Sequence, residues 1–292
     1  MRIALVTGRS DVAHQEETDR PLVEALQRAG VDVVEPDWRD DDVEWADLDL
    51  AVVRTTWDYT GHRDAFVQWA QRVAARTRLV NDADVLRWNT HKSYLLELEE
   101  RGAPVIPTAW MARGDGVDLA ALLAARGWTR AVVKPAVASG SDGLVRVEED
   151  DASRSAAQGH LEALLLEGDA MVQPYLPAIE SDGELSVVVL DGEVSHAVRK
   201  RPRPGEFRIQ EQHGGRYARE EVPRAVGDLA RWIVAATGVR PLIARVDLVA
   251  GDDGTPQLVE LELTEPDLYL TLAPDAAERL AGLLVARALP SR

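Results

Sequence analysis

Cysteine is absent from this chain of 292 residues. Disulfide bonds and thiolate chemistry are therefore excluded, and so are the structural zinc sites that depend on cysteine. The six histidines do not suggest a zinc site either, because none of them follows the HxxxH spacing of a catalytic zinc helix. A protein of this size without disulfides suits a reducing compartment, so we expect a cytoplasmic location.

Long hydrophobic runs are also missing. No apolar stretch reaches the roughly 20 residues that a membrane-spanning helix needs. The first residues, MRIALVTG, have the pattern of a buried strand and not of a signal peptide. Hydrophobic residues still make up 46% of the chain, which is enough for a substantial core and, at this length, for more than one domain. We therefore expect a globular protein with no membrane partner.

Positive charge is scarce as well. Lysine and arginine total 33 against 50 aspartates and glutamates, which gives a formal net charge of −17. Such an acidic chain is poorly suited to nucleic acid or to an anionic membrane surface. An anionic ligand would require basic side chains gathered at one place, or a divalent cation. Each lysine or arginine inside a motif is therefore informative.

Residues 1–88 alternate strand-like and helix-like segments, which predicts a parallel sheet with helices outside it. We expect the first helix to begin near Pro21 and to end at Gly30. Ligands of such sheets bind beyond the carboxyl ends of the strands. The loop at residues 8–11, which follows the first strand, is not GxGxxG, so no dinucleotide site is predicted there.

A second strand end in this part carries the sequence RTTWDY. Its position at the carboxyl end of a strand predicts a polar pocket for substrate. The alternative is a capped loop in which the tryptophan only fills space. The candidate substrate-binding residues are Arg54, Thr55, Thr56, Trp57 and Asp58.

An acidic hairpin is predicted over residues 243–266, where IARVDLV and QLVELEL flank the turn GDDGTP. Because side chains alternate along a strand, Glu260 and Glu262 share one face, as do Arg245 and Asp247. If both pairs lie on the same side, three carboxylates form a site for a hard cation beside a guanidinium group. The alternative is an ordinary hairpin with one solvated, charged face.

Two lysines suggest a phosphate site. Lys134 ends the apolar strand AVVKP, just before a turn that contains Ser139, Gly140 and Gly143. The turn leads into another strand, unlike a Walker loop, but its backbone N–H groups and the lysine suit phosphate groups. A flexible hairpin tip is the alternative. Lys92 lies at the expected start of a helix, where a phosphate would offset its unfavourable position, although a solvated surface lysine fits equally well.

In order, these segments resemble the ATP-grasp superfamily of carboxylate–amine ligases, the group of D-alanine–D-alanine ligase, glutathione synthetase and the ribosomal-protein glutamate ligases. The resemblance covers nearly the whole chain and rests on NTHKSY, VVKPAVASGSDG, QPYL, GELSV, ARVDLV and VELEL. It implies an α/β protein with the ATP-grasp fold. The expected parts are an N-terminal parallel-sheet domain at 1–88 and two α+β lobes that clasp ATP, at 89–174 and 175–292.

Roles for single residues follow from the resemblance. In the family, two lysines and the glycine-rich loop contact the nucleotide phosphates, a hinge strand holds adenine, and an acid holds the ribose. The matching ATP-binding positions are Lys92, Lys134, Ser139, Gly140, Gly143, Gln173, Tyr175, Leu176 and Glu184. The family's metal-binding strands correspond to Asp247, Glu260 and Glu262, with one or two Mg²⁺ ions, or Mn²⁺, as cofactor beside ATP.

The resemblance also implies a reaction. ATP phosphorylates the carboxylate of a small, amino-acid-like substrate, and a nitrogen nucleophile attacks the acylphosphate. Arg245 is expected to stabilise the transferring phosphoryl group, and GEFR…GG makes Arg208 an active-site candidate. Candidate clamps for the substrate carboxylate are Arg54, Arg199, Lys200 and Arg208, of which Lys200 and Arg208 are also candidate catalytic residues.

Three departures from the family pattern bear on the substrate. Glu262 stands where the family has asparagine, which leaves the number of metal ions open. LTEPDLYL replaces a proline-rich segment that commonly touches substrate. RTTWDY resembles the subfamily that includes the ligase forming D-cycloserine from O-ureido-D-serine, an antibiotic-biosynthesis reaction in which the nucleophile belongs to the same molecule. An intermolecular amino-acid or peptide ligase, a small-molecule kinase and a nucleotide-binding protein with an inactive site are the alternatives. A monomer and a homo-oligomer both fit the sequence.

Overall fold

Three sheets organise the chain in a computed structural model that describes residues 1–9 and 12–289, with only the backbone described at 12–16. Ser10 and Asp11, in the loop expected after the first strand, lie outside the described residues. The first sheet has the order β2-β1-β3-β4, and all its pairings are parallel. Its elements are β1 (Arg2–Thr7), α1 (Val12–Arg28), β2 (Asp32–Val34), β3 (Leu50–Thr55), α2 (Arg63–Ala74) and β4 (Leu79–Val80). The predicted parallel sheet is confirmed.

The first helix is longer than predicted. It begins at Val12, not near Pro21, and Pro21 lies inside it. A proline within a helix removes one backbone hydrogen bond, so packing must offset that loss. Leu22 and Leu26, in the turns that follow, are fully buried in the core beneath the first sheet. The cost of the proline is therefore absorbed by a helix that is anchored along its apolar side.

The second sheet lies between the first and the third along the chain. It follows two short helices, and its strands pair antiparallel in the order β5-β8-β6-β7. The glycine-rich loop at 136–144 joins its two neighbouring strands β6 and β7. Its elements and the preceding helices are α3 (Ala83–Asn89), α4 (Tyr94–Glu100), β5 (Ala109–Met111), α5 (Leu119–Arg126), β6 (Ala131–Pro135), β7 (Val145–Val147), α6 (Asp151–Glu167) and β8 (Ala170–Pro174).

The third sheet is antiparallel and has five strands in the order β11-β10-β9-β12-β13. The predicted acidic hairpin forms β12 and β13, with β13 at one edge of the sheet. The elements are α7 (Ala178–Ser181), β9 (Glu184–Leu190), β10 (Glu193–Arg201), β11 (Arg216–Glu220), α8 (Arg224–Ala236), β12 (Ile243–Ala250), β13 (Pro256–Glu262) and α9 (Pro274–Ala288).

Lys92 does not open a helix, contrary to the sequence prediction. It lies in the turn between α3 and α4, and α4 begins at Tyr94. Its backbone N–H donates to the carbonyl of Ala136, at 2.8 Å, and so ties this turn to the end of β6. The helix-dipole argument therefore does not apply to Lys92.

Side chains from α3 and α4 cover the open edge of β13. Asn89 donates to the carbonyl of Leu261 at 2.8 Å and accepts from the N–H of Leu263 at 2.6 Å. The hydroxyl of Tyr94 accepts from the N–H of Leu261 at 3.0 Å. An uncovered edge strand exposes unpaired backbone groups, and these contacts satisfy them. They also fix the end of the predicted acidic hairpin, and they place α4 against the third sheet rather than the second.

The final helix closes the molecule by returning to the first sheet. Leu280 and Leu284 of α9 are fully buried in one core with Leu22 and Leu26 of α1, and this core also contains Val188 of β9. The first and third sheets therefore share a hydrophobic core. Within the described residues, no helix combines the length and apolar character that crossing a membrane requires.

Candidate active site

The acidic hairpin brings three carboxylates together on one face. In the register of β12 and β13, Asp247 lies opposite Glu260, and Arg245 lies opposite Glu262. One oxygen each from Asp247, Glu260 and Glu262 can be chosen such that all three lie within 4.8 Å of one another. Three carboxylate oxygens at this spacing suit a hard divalent cation such as Mg²⁺. Both pairs lie on the same face of the hairpin, as the interpretation of a cation site requires.

Arg245 is the central cation of this cluster. Its guanidinium donates to both carboxylate oxygens of Asp247, at 2.9 to 3.2 Å, and to Glu262. A further bond of 3.1 Å reaches the carbonyl of Asp267, in the segment after β13. Burial would raise the pKa of Asp247, but Arg245 and Lys200 outweigh it and lower the pKa to about 2. Asp247 is therefore ionised at neutral pH.

Lys200, at the end of β10, is a second buried cation. Its ammonium group lies 2.5 Å from a carboxylate oxygen of Glu184 and 3.6 Å from one of Asp247. The hydroxyl of Ser186 donates to Asp247 at 2.5 Å from the same side. Burial raises the pKa of Glu184, against the lowering effect of Lys200. Glu184, expected at the ribose, is thus joined to the predicted metal ligands through one lysine.

Lys92 links the hairpin to the glycine-rich loop. Its ammonium group lies 2.7 Å from Glu260 and donates to the carbonyl of Ala138 at 2.8 Å. Burial alone would lower the pKa of Lys92, but Glu260 more than compensates and raises it above the usual value. Lys92 is therefore charged, and because it is buried in an ion pair the alternative of a solvated surface lysine is excluded.

The glycine-rich loop is held at both ends. Burial, with the neighbouring charge of Lys92, lowers the pKa of Lys134 to about 8. The hydroxyl of Ser139 donates to the carbonyl of Trp57 at 3.1 Å, and Nε2 of His160 donates to the carbonyl of Gly143 at 2.7 Å. Anchored ends are inconsistent with a free hairpin tip. Gly140 and Gly143 both have positive φ, at 61° and 68°, which favours glycine there.

The predicted adenine segment is ordered by contacts of its own. The side-chain amide of Gln173 is buried and donates to the hydroxyl of Thr108 at 2.9 Å. The ring of Tyr175 lies beneath the guanidinium of Arg130, 4.8 Å from its centroid, and its hydroxyl bonds to Glu180. Leu176 is half-buried at the end of this segment. In the backbone, the N–H of Tyr175 donates to the carbonyl of Arg130 at 3.0 Å and the carbonyl of Leu176 accepts from the N–H of Ile179 at 3.1 Å.

The RTTWDY segment differs most from its prediction. Arg54 is 0% exposed: Nε donates to Asp19 at 2.9 Å and Nη1 donates to the carbonyl of Pro266 at 3.1 Å. Thr55 and Thr56 are also buried. Arg54 is therefore not available to clamp a substrate carboxylate, because β3 is an interior strand of the sheet and its last side chains point into the protein.

Trp57 and Asp58 are partly exposed, but their polar groups form hydrogen bonds within the protein. The indole N–H of Trp57 donates to the carbonyl of Glu265 at 3.2 Å. Asp58 accepts from the N–H of Arg9 at 2.8 Å and from the indole of Trp38 at 2.9 Å. The RTTWDY segment thus positions the chain around residue 265. Most of its residues fit the alternative interpretation, that of a packed loop.

The other expected carboxylate clamps are paired elsewhere. Arg208 forms a 2.8 Å ion pair with Glu206 and lies over the ring of Phe207. Arg199 is paired with Glu220 at 3.1 Å. Among the contacts of the described residues, neither arginine reaches the carboxylate cluster. Lys200 and Arg245 are the candidate catalytic cations that do.

Sequence reasoning missed Glu265 and Tyr59. Glu265 is 6% exposed, follows β13 by three residues and accepts a hydrogen bond from the hydroxyl of the buried Tyr59. Burial and the charge of Glu260 raise the pKa of Glu265 to about 7. The only signal in the sequence was the acidic residue in LTEPDLYL, where the resembling family has a proline-rich segment.

Comparison with known proteins gives two family matches that divide the chain. Residues 3–81 match the N-terminal domain of D-cycloserine synthetase DcsG. Residues 105–266, more than half of the chain, match the ATP-grasp domain of prokaryotic glutathione synthetase. The chain belongs to the ATP-grasp superfamily. The expected ATP-grasp fold is confirmed, and the second match contains Lys134, Gln173 and the whole acidic hairpin.

Individual relatives agree with this assignment. Cycloserine biosynthesis protein DcsG of Streptomyces lavendulae is 36% identical over an alignment 286 positions long, which covers 92% of this chain and 93% of that protein. The crystal structure of D-cycloserine synthetase DcsG aligns with a TM-score of 0.89 at 30% identity, over 99% of this chain and 100% of that one. D-Alanine–D-alanine ligase from Bacillus anthracis, complexed with ATP, aligns at 0.74 and 17% identity over 99% and 97%, which shows a common fold.

The ligase class follows from the superfamily. This protein is an ATP-dependent carbon–nitrogen ligase, as the sequence predicted, and proteins of this fold bind ATP. The carboxylate cluster fits the magnesium ion that accompanies ATP in the superfamily.

Proposed function

We propose that this ligase closes a ring within a small amino acid, converting O-ureido-D-serine into D-cycloserine in antibiotic biosynthesis. The observation that carries the proposal is the 36% identity to DcsG over nearly the full length of both chains. That similarity includes residues 3–81, the N-terminal domain.

We assign the metal-binding role to Asp247, Glu260 and Glu262. These three carboxylates would hold a magnesium ion, which would offset the negative charge of the β- and γ-phosphates of ATP. Glu262 takes the position of the usual asparagine, and its carboxylate fits the cluster because Arg245 bonds to it. Burial and the charges of Glu260 and Asp247 nevertheless raise the pKa of Glu262 well above its usual value, so Arg245 compensates its charge only in part.

Different basic residues are assigned to different parts of the triphosphate of ATP. Lys134 and the loop with Ser139, Gly140 and Gly143 are assigned to the phosphates, and Lys92 joins them from the other side. Arg245 and Lys200 face the carboxylate cluster and are assigned to the transferring phosphoryl group and to the oxyanion that forms later. Removing such a donor typically costs about 3–4 kcal/mol of transition-state stabilisation.

The chemistry then requires two steps on one substrate. The carboxylate of the substrate attacks the γ-phosphorus, ADP leaves, and an acylphosphate forms. The substituted nitrogen of the ureido group attacks the acyl carbon, phosphate leaves with the bonding electrons, and the nitrogen loses its proton. Ring closure removes the elements of water. A water molecule then attacks the carbamoyl carbon, the ring nitrogen leaves with the bonding electrons and takes a proton, and carbamic acid, which breaks down to CO2 and ammonia, is released together with D-cycloserine. The glycine-rich loop, covering the phosphates, would keep water away from the acylphosphate.

Mass spectrometry of the products tests the proposal directly. Purified protein is incubated with ATP, Mg²⁺ and O-ureido-D-serine, and ADP, phosphate and product masses are recorded. We expect D-cycloserine with one ADP and one phosphate per turnover. A phosphorylated substrate as the end product would identify a kinase, and a condensation product of two amino acids would identify an intermolecular ligase. The L enantiomer is the matched control for recognition of the substrate.

A further inference from the structure

Glu265 is a buried carboxylate beside the acidic hairpin that forms no ion pair among the described residues. Asp247, Glu260, Glu262 and Glu184 each form an ion pair with a lysine or arginine. In the part of the chain that the structure describes, Glu265 forms none. Among the described residues, the side-chain group that interacts with its carboxylate is the hydroxyl of Tyr59, which lowers its pKa. A buried carboxylate without a cation is costly, because burial removes water without supplying a counter-charge.

The backbone around Glu265 is held by side chains from other parts of the chain. The carbonyl of Glu265 accepts from Trp57 at 3.2 Å, and that of Pro266 accepts from Arg54 at 3.1 Å. On the preceding side, the hydroxyl of Thr264 donates to Asn89 at 3.2 Å. Side chains from the first sheet and from α3 thus fix three successive residues. A flexible acid could turn toward solvent, whereas this one is kept in the site.

Glu265 does not belong to the proposed metal site. The group whose oxygens come within 4.8 Å of one another consists of Asp247, Glu260 and Glu262. The charge of Glu260 acts on Glu265, as do those of Lys92 and Arg245, so Glu265 lies beside the cluster. Lys92 is committed to Glu260 at 2.7 Å, and Arg245 to Asp247 and Glu262. With both cations paired elsewhere, a cationic group of a bound ligand is the partner that would balance an ionised Glu265.

We propose that Glu265 binds the α-ammonium group of the substrate, with Tyr59 orienting its carboxylate. This inference rests on the proposed ligase function. In an α-amino acid the ammonium group sits on the carbon next to the carboxyl group. A substrate whose carboxyl group is phosphorylated at the metal cluster therefore brings its ammonium group toward the neighbouring acid. The pKa of Glu265, raised to about 7, is consistent with a carboxylate that lacks a cation until substrate arrives.

The ligand class that this arrangement selects is an α-amino acid with a free amino group. N-acylated amino acids and simple carboxylic acids would leave the charge of Glu265 unbalanced in the closed site. Such a site rejects them because it would hold an unpaired buried charge.

The proposal is tested by a double-mutant-type cycle, in which the charge of Glu265 and the amino group of the ligand are removed separately and together and the affinity is measured. Wild-type protein and Glu265→Gln are titrated with O-ureido-D-serine, and with the analogue that carries hydrogen in place of the amino group. Both titrations contain Mg²⁺ and a non-hydrolysable ATP analogue and are followed by calorimetry. We expect Glu265→Gln to lower the affinity for O-ureido-D-serine about 10- to 100-fold and the affinity for the analogue less than about threefold. Equal losses for both ligands, or no loss for either, would overturn the proposal.

Three controls separate pairing from other causes. Glu193→Gln removes the same charge from an exposed position and should leave both affinities unchanged. Tyr59→Phe keeps the carboxylate and should weaken O-ureido-D-serine less than Glu265→Gln does. The ATP analogue should bind Glu265→Gln as it binds wild type, and the melting temperature should not fall, because an unbalanced charge is removed. A lower melting temperature together with equal losses for both ligands would assign Glu265 a structural role.

The same experiment distinguishes failure of the proposed function. If wild-type protein releases no ADP with O-ureido-D-serine, the cyclising function is wrong. The pairing is then measured with whichever amino acid releases ADP in a screen, against its analogue without the amino group. The proposal stands if the loss in Glu265→Gln depends on the amino group, and it fails if it does not.

Discussion

Internal charge compensation is the main feature of the site at the scale of single residues. Arg245 bonds to both Asp247 and Glu262, and Lys200 lies between Glu184 and Asp247. These groups sit in a buried position, where an unpaired charge would be costly. Each substitution in the network therefore has two effects, on chemistry and on the partner that it leaves behind.

Loss of a metal-binding carboxylate should abolish turnover while the protein remains folded. We expect Asp247→Asn and Glu260→Gln each to lower ADP release with substrate by at least about 100-fold, because the phosphoryl charge loses its counter-ion. Asp253→Asn, in the exposed turn of the same hairpin, is the matched control and should retain wild-type turnover. Rapid ADP release by either site variant would contradict the metal assignment.

The lowered pKa of Lys134 predicts a pH dependence. Burial lowers this pKa to about 8, so the amine is charged below that pH and loses its proton as the pH rises through it. The value of kcat/KM for ATP should therefore fall above about pH 8, approaching about tenfold per pH unit. In Lys134→Arg the guanidinium stays charged, and the fall should disappear. An unchanged pH profile in Lys134→Arg would assign the titration to another group.

At the scale of elements, the connection between β6 and β7 depends on two conformational constraints. Gly143 has a φ of 68°, and a Cβ built there would lie 3.0 Å from Cδ of Pro135. Its carbonyl is fixed by His160 of α6. The loop can thus present its backbone to phosphate groups only if this glycine keeps its unusual conformation.

Alanine at Gly143 should impair nucleotide binding specifically. We expect Gly143→Ala to raise the KM for ATP about tenfold or more, because the loop must shift away from Pro135 and out of the left-handed region. Gly159→Ala is the matched control, since Gly159 lies exposed within α6 with no atom near its missing Cβ. That substitution should instead stabilise the protein by about 0.5–1 kcal/mol in urea denaturation, with an unchanged KM. A KM unaffected by Gly143→Ala would mean that the loop does not contact ATP.

The hairpins and the parallel sheet could be predicted from sequence because their signals are local. Alternation in IARVDLV and QLVELEL fixed which carboxylates share a face, and the register bears out that geometry. Arg54 was misjudged for the opposite reason. Its partner Asp19 is 35 positions away and Pro266 is 212 positions away, and no periodic pattern reports such contacts.

On the scale of the whole molecule, the main stabilising contact joins distant parts of the chain. Leu280 and Leu284 of α9 pack with α1 in a core that also includes Val188 and Leu190 of the third sheet. The predicted division at residues 88 and 174 could not reveal this, because each segment taken alone shows only its own apolar faces. The boundaries themselves remain a prediction.

This shared core makes a prediction about unfolding. We expect Leu284→Ala to lower the free energy of unfolding by about 2–5 kcal/mol, because it leaves a cavity in a buried layer. Leu166→Ala, at a side chain that is 75% exposed, should change it by less than about 0.5 kcal/mol. Urea denaturation followed by fluorescence and by circular dichroism should give coincident transitions for the first and third sheets. Separate transitions would show that the core does not couple them.

Lys92 contacts the carbonyl of Ala138 and Glu260, one of the carboxylates that we assign to the metal, at the same time. Its ammonium group therefore occupies the place where a divalent ion would compete for Glu260. A free metal ion that binds Glu260 must displace Lys92, which then loses its ion pair. A nucleotide that carries the metal ion also supplies a phosphate, with which Lys92 can pair instead. The ion pair with Lys92 should therefore weaken the binding of free Mg²⁺ to the protein without nucleotide. We expect the ion to enter the site mainly as the Mg²⁺ complex of ATP.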